Sequence, residues 1–167
     1  MTLVQAVLLF VSLQRLAELI HARRNEARLR AAGGIEHGAG HYPLVIGLHA
    51  AWLAALWIWI PHDAPVVWWA LGAYAVAEIF RLWVLVSLGR WWTTRIITLP
   101  GAPLVRRGPY RLMRHPNYAA VVAEIALLPL AFGAWQIALV FSLLNALILA
   151  WRIPIEARAL ADRQKLV

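Results

Sequence analysis

The sequence contains no cysteine, and it is poor in charged residues. The absence of cysteine excludes disulfides, thiolate metal sites and a cysteine nucleophile. Only 14% of the 167 residues are charged, whereas 62% are hydrophobic. Soluble domains carry about 25% charged and about 45–50% apolar residues, so this balance indicates a chain that lies in a lipid bilayer.

Several common site motifs are also missing. The Walker A, GxGxxG and GxSxG patterns do not occur, which argues against common nucleotide-binding folds and serine hydrolases. There is no HExxH or comparable carboxylate–histidine spacing, so we expect no metal site. His41 and His49, eight residues apart, are therefore interpreted as candidates for substrate binding.

The formal net charge of +8 does not indicate a nucleic-acid partner. The arginines lie between apolar runs rather than in a basic tail, so we expect no nucleic acid to bind. Arginines cluster within residues 23–30 and 90–114, whereas residues 61–65 and 133–134 contain no Lys or Arg. Because loops rich in Lys and Arg stay in the cytoplasm, we expect the N-terminus outside and the C-terminus in the cytoplasm.

Five apolar runs are candidates for membrane spans, because about 20 residues cross a hydrocarbon core of roughly 30 Å. The fourth and fifth runs are joined at Gly133, which predicts a helical hairpin, and Pro129 is expected to bend or end the fourth. The N-terminal run shows no cleavage signal and is interpreted as a retained span. The runs cover residues 3–20, 44–60, 66–88, 118–132 and 135–151.

The sequence thus predicts an all-α integral membrane protein with about five transmembrane helices, the last two of which form a hairpin. We interpret residues 1–167 as a single membrane-embedded domain. Residues 1–88 supply three spans, and residues 89–167 supply a loop, the hairpin and a basic tail.

Ionisable residues inside the apolar runs are candidates for a site, because charges within a membrane usually face a cavity or one another. Arg15 and Glu18 are three residues apart, and Glu78 and Arg81 repeat this spacing, so each pair can neutralise itself on one helical face. The pairs either hold helices together or jointly line a polar pocket. We interpret all four as candidate substrate-binding residues.

Glu124 is a separate carboxylate in the fourth run. It lies seven residues after Asn117 and thus on the same helical face. The sequence leaves open whether Glu124 hydrogen-bonds a substrate hydroxyl or pairs with an arginine. The candidate partners are Arg15, Arg81 and Arg152.

The densest polar motif lies directly before the fourth run. Residues 108–118 read Gly-Pro-Tyr-Arg-Leu-Met-Arg-His-Pro-Asn-Tyr. Guanidinium groups and an imidazole beside hydrocarbon are costly unless an anionic or zwitterionic group binds there. The motif is therefore the main site candidate.

Together with the hairpin and with Arg152, Ile153 and Glu156, this motif resembles the isoprenylcysteine carboxyl methyltransferase family over about residues 85–157. Members of that family are membrane enzymes that use S-adenosylmethionine. The family usually has a second Glu after the first, where this chain has Ala157. Related phospholipid methyltransferases and some sterol reductases carry similar C-terminal patterns.

Upstream residues resemble a small bacterial branch of the same family. They are Gln14-Arg15-Leu16-Ala17-Glu18, Arg24-Asn25-Glu26 and His41-Tyr42-Pro43 with His49. Members of this branch are associated with type III polyketide synthases and methylate alkylpyrones or alkylresorcinols.

The resemblance implies an S-adenosylmethionine-dependent O-methyltransferase that releases S-adenosylhomocysteine and acts on a lipophilic acceptor. As that acceptor, an alkylpyrone or alkylresorcinol is expected in preference to a prenylcysteine carboxylate. Glu124, Arg152 and His115 are the candidate catalytic residues. The candidate cofactor-binding residues are Tyr110, Arg114, His115, Pro116, Asn117, Tyr118, Arg152 and Glu156.

These expectations place the protein in the bacterial inner membrane, in contact with lipids and with its active site facing the cytoplasm. Assembly into a homo-oligomer is left open. Two alternative functions also remain: an NADPH-dependent membrane reductase of the sterol-reductase type, and a non-enzymatic membrane scaffold whose Arg-His motif binds headgroups.

Overall fold

A computed structural model describes the backbone of residues 1–165 and the side chains of residues 1–161. Five α-helices make up most of the described chain, and short 3₁₀ turns and a small sheet connect them. The helices are α1 (Leu3–Ala31), α2 (Tyr42–Trp59), α3 (Trp68–Leu88), α4 (Pro116–Leu130) and α5 (Trp135–Lys165).

Four helices of the described chain are long and apolar enough to cross a membrane, and α4 is a shorter apolar helix. Their outward faces carry large exposed apolar side chains, such as Ile58, Ile79, Leu82 and Leu147. Extended apolar surface of this kind is rare on soluble proteins, because its exposure to water costs free energy. These faces therefore lie against lipid, and the predicted all-α membrane architecture of about five helices is confirmed.

The bundle interior is apolar at the end where α1 begins. Leu8 of α1, Trp52 and Leu56 of α2, and Ile125 and Leu128 of α4 are almost completely buried there. α4 packs against both α3 and α5. The bundle can therefore accommodate a helix that is shorter than a full span.

α1 continues beyond the predicted first span, which ends at residue 20. Residues 21–31 contain no Gly or Pro and are rich in Ala and Arg, which favour a helix even outside the membrane. The helix is terminated at Gly33, whose φ of 89° lies in the left-handed region. The polar part of α1 therefore extends alongside the loops at this end of the bundle.

α4 and α5 form the predicted hairpin. α4 ends one residue after Pro129, and Gly133, with φ of 72°, lies in the turn to α5. The predicted fifth span ends at residue 151, but α5 continues through Pro154 to Lys165. The second half of α5 thus presents its polar residues at the same end as the loop before α4.

A two-stranded antiparallel sheet, which the sequence analysis does not predict, joins two distant loops at this polar end. Strand β1 (Ile35–His37) follows α1, and strand β2 (Ile96–Thr98) follows α3. Ile35 lies opposite Thr98 in the register. Three-residue strands give too little periodicity to be read from a sequence, and their pairing here connects residues about 60 positions apart.

Candidate active site

A cavity of about 650 Å³ lies at the polar end of the bundle, between β2, the loop after it, the start of α4 and the second half of α5. This volume is within the roughly 300–1,000 Å³ usual for small-molecule sites. Apolar and aromatic residues such as Leu88, Trp91 and Leu104 form one part of the wall, and charged residues from the segment just before α4 and from α5 form another. The cavity therefore suits a ligand with both flat apolar and charged parts.

A glycine and a proline shape the chain on its way into α4. Gly108 has a φ of 54°, and a Cβ at this position would lie 2.1 Å from Ser87 Oγ, so only glycine fits against α3. Pro116 lies in the first turn of α4, where its missing N–H forfeits no helical hydrogen bond. The 3₁₀ turn Gly108–Arg111 begins at this glycine. This path brings the polar residues before α4 to the cavity.

Tyr118 and three neighbouring side chains form the polar floor of the cavity. The Tyr118 hydroxyl donates to Glu156 Oε2 and accepts a hydrogen bond from Arg152 Nε at 3.0 Å. The His115 ring stacks on Tyr118 with centroids 5.4 Å apart, and His115 Nδ1 lies 4.0 Å from Glu156 Oε2. The His115 and Glu156 side chains are 26% and 29% exposed, so both remain accessible to a ligand.

The two arginines of the cavity differ in their availability. Arg152 is 8% exposed; its Nη2 donates to Thr94 O at 2.7 Å, and its Nη1 lies 3.4 Å from His41 Nε2. Arg152 therefore forms a fixed part of the wall. Arg114 lines the cavity with an exposed side chain and forms no salt bridge among the described side chains. It is the better placed of the two to bind an anionic group.

Contacts from α1 fix the chain that leads from α3 to β2. Asn25 is fully buried, and its Nδ2 donates to Gly89 O at 3.2 Å and to Trp92 O at 2.9 Å. Glu26 Oε1 accepts a hydrogen bond from Thr94 Oγ1 at 3.0 Å. The cavity wall on this side therefore depends on the polar extension of α1.

Glu36 and Tyr110 are among the titratable groups of the polar end whose pKa values are shifted. Burial alone would raise the pKa of Glu36, but hydrogen bonds from Arg95 and Arg30 hold it below the ordinary value of 4.5. Burial, and to a smaller extent the charge of Glu156, raises the pKa of Tyr110. Near neutral pH, Glu36 is therefore a carboxylate and Tyr110 is a neutral hydrogen-bonding group in the cavity lining.

Deeper in the bundle, five residues of α1, α3 and α4 form the membrane charge cluster: Arg15, Glu18, Glu78, Arg81 and Glu124. Arg15 contacts all three carboxylates, at 3.1 Å (Glu18), 3.3 Å (Glu78) and 2.9 Å (Glu124). Arg81 contacts Glu18 and, at 3.0 Å, Glu124. Three carboxylates face two guanidinium groups, so the cluster has one formal negative charge in excess.

The pairing within this cluster differs in part from the predicted pairing. The predicted pair of Arg15 with Glu18 is present. Among the described side chains, Arg81 pairs with α1 and α4 rather than with Glu78 of its own helix. A spacing of three residues fixes the helical face of a side chain, whereas packing decides which neighbour it meets. The cluster therefore connects three helices.

The cavity brings together seven of the eight predicted cofactor-binding residues. The eighth, Pro116, is buried at the start of α4. Glu124, the third candidate catalytic residue, does not line the cavity but belongs to the membrane charge cluster, where Arg15 and Arg81 contact it. The seven lining residues are Tyr110, Arg114, His115, Asn117, Tyr118, Arg152 and Glu156.

The predicted substrate-binding residues lie outside the cavity lining. Arg15, Glu18, Glu78 and Arg81 belong to the membrane charge cluster, which approaches the cavity wall where the Arg81 guanidinium carbon lies 5.7 Å from the ring centroid of Trp92.

The two candidate histidines have separate surroundings. His41 is buried between Arg152 and Trp151. His49 Nδ1 lies 2.8 Å from Val45 O of its own helix. Within the described chain, no group of three or more His, Asp or Glu side chains is placed to hold a metal ion.

The sequence analysis missed the part of the wall formed by Trp92, Arg95 and Thr98. In a sequence, adjacent tryptophans near a membrane span are interpreted as interfacial anchors, so their position in a cavity wall is not predicted. A signal was present in Asn25, because Asn is a poor helix former and its place inside a run of better ones indicates another role for its side chain. Spacing alone does not indicate its partner 67 residues away.

Fold and site together define a multi-pass membrane protein with a mixed aromatic and charged cavity at one end of its helical bundle. The sequence model of the isoprenylcysteine carboxyl methyltransferase family matches residues 69–162, a range that includes α4, most of α3 and the described residues of α5 up to Ala161. The chain belongs to this family. Membership implies methyltransferase activity in a membrane protein.

Two relatives are similar over most of their length. One, named uncharacterized protein YpbQ, from Bacillus subtilis strain 168, is 42% identical over 154 residues, which cover 89% of this chain and 91% of the relative. An uncharacterized protein from Haemophilus influenzae is 30% identical over 145 residues, 83% of each chain. No solved structure is significantly similar to this chain.

Proposed function

We propose that the protein is an S-adenosylmethionine-dependent O-methyltransferase of the bacterial inner membrane, with its active site facing the cytoplasm. Its acceptor is a lipophilic molecule. We favour an alkylpyrone or alkylresorcinol as this acceptor over a prenylcysteine carboxylate. The observation that carries this proposal is the cavity that combines Arg114, Tyr118 and Glu156 at the end of a lipid-embedded bundle.

The chemistry of the cavity lining suits the donor. S-adenosylmethionine carries a carboxylate, an ammonium group and ribose hydroxyls beside its flat adenine. Arg114 would bind the carboxylate, for which a guanidinium is well shaped, and Glu156 would bind the ammonium or the ribose. Asn117 Oδ1 and Trp92 Nε1 of the lining are buried without a partner among the described residues. Buried polar atoms normally have a partner, so their presence fits a ligand rich in hydrogen-bonding groups.

When bound, the donor supplies a methyl group activated by its positive sulfonium centre. The protein residues contribute by alignment and by exclusion of water, since holding two reactants in line is worth up to roughly 7–11 kcal/mol. Tyr118 is suited to this task because Arg152 and Glu156 hold its hydroxyl from both sides. Trp91 and Trp92 of the cavity wall would shield the other side from bulk water.

The acceptor is expected to enter from the lipid between helices, because its alkyl or prenyl chain prefers the membrane. A carboxylate acceptor would arrive ionised, whereas a phenol with a pKa of about 10 needs a base. His115 at the cavity and Glu124 in the membrane charge cluster are the two candidates for this base. Glu124 contacts Arg81, and Arg81 packs over Trp92 of the cavity wall.

A methyl-transfer assay tests this proposal. Purified protein in detergent is incubated with methyl-labelled S-adenosylmethionine and either a long-chain alkylresorcinol, an alkylpyrone or a prenylated cysteine. We expect label in the extracted alkylresorcinol or alkylpyrone, and loss of it in Arg114→Ala. Transfer to the prenylated cysteine alone would support methyltransferase activity but identify the prenylcysteine carboxylate as the acceptor. Saturable binding of NADPH, without transfer to any acceptor, would contradict the proposal in favour of a reductase.

A further inference from the structure

A second cavity of about 570 Å³ lies beside the first, at the end of α3. The two cavities share a wall formed by Leu88, Trp91 and residues 103–106, whereas Arg90 and Arg107 line only the second. We name it the arginine groove, because Arg90, Arg106 and Arg107 line it together with Trp91 and residues 103–105. The described side chains that line the groove include no carboxylate. Three positive charges therefore share one concave surface.

Two contacts hold guanidinium groups of the groove in place without neutralising them. Arg107 Nε donates to Ser87 O at 2.7 Å, at the end of α3. The Arg90 guanidinium carbon lies 4.8 Å from the ring centroid of Trp91. No salt bridge joins these arginines or Arg106 to a carboxylate among the side chains that the structure describes. The groove thus combines positioned guanidinium hydrogen-bond donors with positive charge that no described carboxylate neutralises.

The groove lies where headgroups of a bilayer are expected. The last turns of α3 expose Leu82, Trp83 and Val86, whose apolar surface lies against lipid. Arg90 is the second residue after the end of this helix. Like charges held together repel one another, and an anion between them relieves this repulsion. Guanidinium groups bind phosphate oxygens in a bidentate manner.

We propose that the arginine groove binds a phosphate-bearing anion, separately from the methyl-donor cavity. Two kinds of molecule can supply this phosphate group: an anionic phospholipid through its headgroup, and a soluble phosphate. The position of the groove at the membrane end of α3 favours the headgroup. This site does not depend on the proposed methyl transfer.

Calorimetric titration of the detergent-purified full chain tests the proposal. The probes are dihexanoyl phosphatidylglycerol, dihexanoyl phosphatidylcholine and inorganic phosphate. We expect saturable binding of the phosphatidylglycerol, with at least about tenfold weaker binding of the zwitterionic lipid. Saturable binding of inorganic phosphate at similar affinity would support the site and identify a soluble phosphate as its source.

Paired variants separate a specific site from general charge. Arg90→Gln/Arg106→Gln leaves the anchoring residue Arg107 in place and should weaken phosphatidylglycerol binding at least about tenfold. Arg23→Gln/Arg24→Gln removes the same charge from exposed positions of α1 and should bind like the wild type.

A charge-retaining variant guards against a folding defect. Arg90→Lys/Arg106→Lys should recover part of the affinity, which a misfolded groove would not do. Wild-type affinity in the Gln pair, an equal loss in the α1 pair, or no saturable binding of either anion to the wild type would overturn the proposal.

Discussion

At the residue scale, charge balance explains how five ionisable side chains lie inside an apolar bundle. Each guanidinium group of the membrane charge cluster contacts two carboxylates on other helices. Glu124 Oε1 and Arg15 Nε are buried and have no partner among the described residues. The cluster is therefore closely paired but not fully satisfied, and it carries an excess of one carboxylate. Removing an arginine and removing a carboxylate should consequently have different effects.

Arg81→Gln should destabilise the fold more than Glu78→Gln. Loss of Arg81 leaves two excess negative charges in the cluster, whereas loss of the Glu78 charge leaves none. Breaking a buried ion pair by removing one partner costs about 3–5 kcal/mol, and we expect Arg81→Gln to fall in this range. Unfolding of both variants by sodium dodecyl sulfate in mixed micelles measures the difference. Equal stability of the two variants would contradict the charge count.

Glu124→Gln should lower turnover far more than donor affinity. Glu124 is absent from the cavity lining but contacts Arg81, which packs over the cavity wall. We expect about a hundredfold lower kcat if it takes a proton from the acceptor, with the Kd for S-adenosylhomocysteine within about twofold of wild type. Glu78→Gln is the matched control, because it removes a charge of the same cluster without direct contact to Arg81. Equal losses in turnover and affinity would exclude an acceptor-side role.

Residue types were more predictable than their partners. The motif of residues 108–118 identified most of the cofactor candidates, because imidazole, guanidinium and phenol groups beside an apolar run stand out in a sequence. The sequence did not distinguish Arg114 from Arg152 as the anion-binding group. Their difference arises from Thr94 and His41, which reach Arg152 only in the folded chain.

At the element scale, the turn before α4 and the small sheet position the cavity. The Gly108 turn places the polar motif against α3, and the sheet connects the loop after α1 to the loop after α3. Both elements are short and have little periodicity. Each can be tested by changing one residue.

Gly108→Ala should disturb the turn more than Gly101→Ala does. Both glycines have a positive φ, so alanine at either costs about 1–2 kcal/mol of backbone strain. A Cβ at Gly108 would also lie 2.1 Å from Ser87 Oγ, whereas one at Gly101 would meet nothing within 4 Å. We expect only Gly108→Ala to weaken S-adenosylhomocysteine binding markedly, as measured by calorimetry. Similar affinities in the two variants would show that the contact with α3 does not position the site.

The sheet should make stability depend on pH through Glu36. Because its folded-state pKa is lowered, the ion pairs of Glu36 stabilise the fold fully above its ordinary pKa of 4.5. This contribution is lost as the pH falls through the lower folded-state value. The difference in unfolding free energy between wild type and Glu36→Gln should therefore be constant above pH 4.5 and shrink below it. A difference that grows on acidification would contradict this assignment.

Helix ends were predictable where the helix is apolar along its whole length, and less predictable where a polar segment extends it. α2 and α3 begin and end within a few residues of the predicted runs, because apolar length is the signal for both. α1 and α5 extend further as polar helices, which the search for apolar runs does not detect. The sheet pairs residues from two loops, and such long-range pairing depends on the assembled bundle.

At the scale of the whole molecule, a lipid-embedded bundle and a polar cavity share the helices α3, α4 and α5. Their apolar faces lie against lipid, and their ends, together with β2, enclose the cavity. The membrane charge cluster lies between these two regions, on α1, α3 and α4. This arrangement would give a water-borne donor and a lipid-borne acceptor access to the same protein, as the proposed methyl transfer requires.

Calorimetric titration of S-adenosylhomocysteine into the detergent-purified protein tests the central claim most directly. The account predicts saturable binding to wild type and to Arg158→Ala, whose exposed side chain does not line the cavity. It also predicts at least about tenfold weaker binding to Arg114→Ala, because a charge-assisted contact to the ligand carboxylate is lost. No detectable binding to the wild type at high ligand concentration, or wild-type affinity in Arg114→Ala, would contradict it.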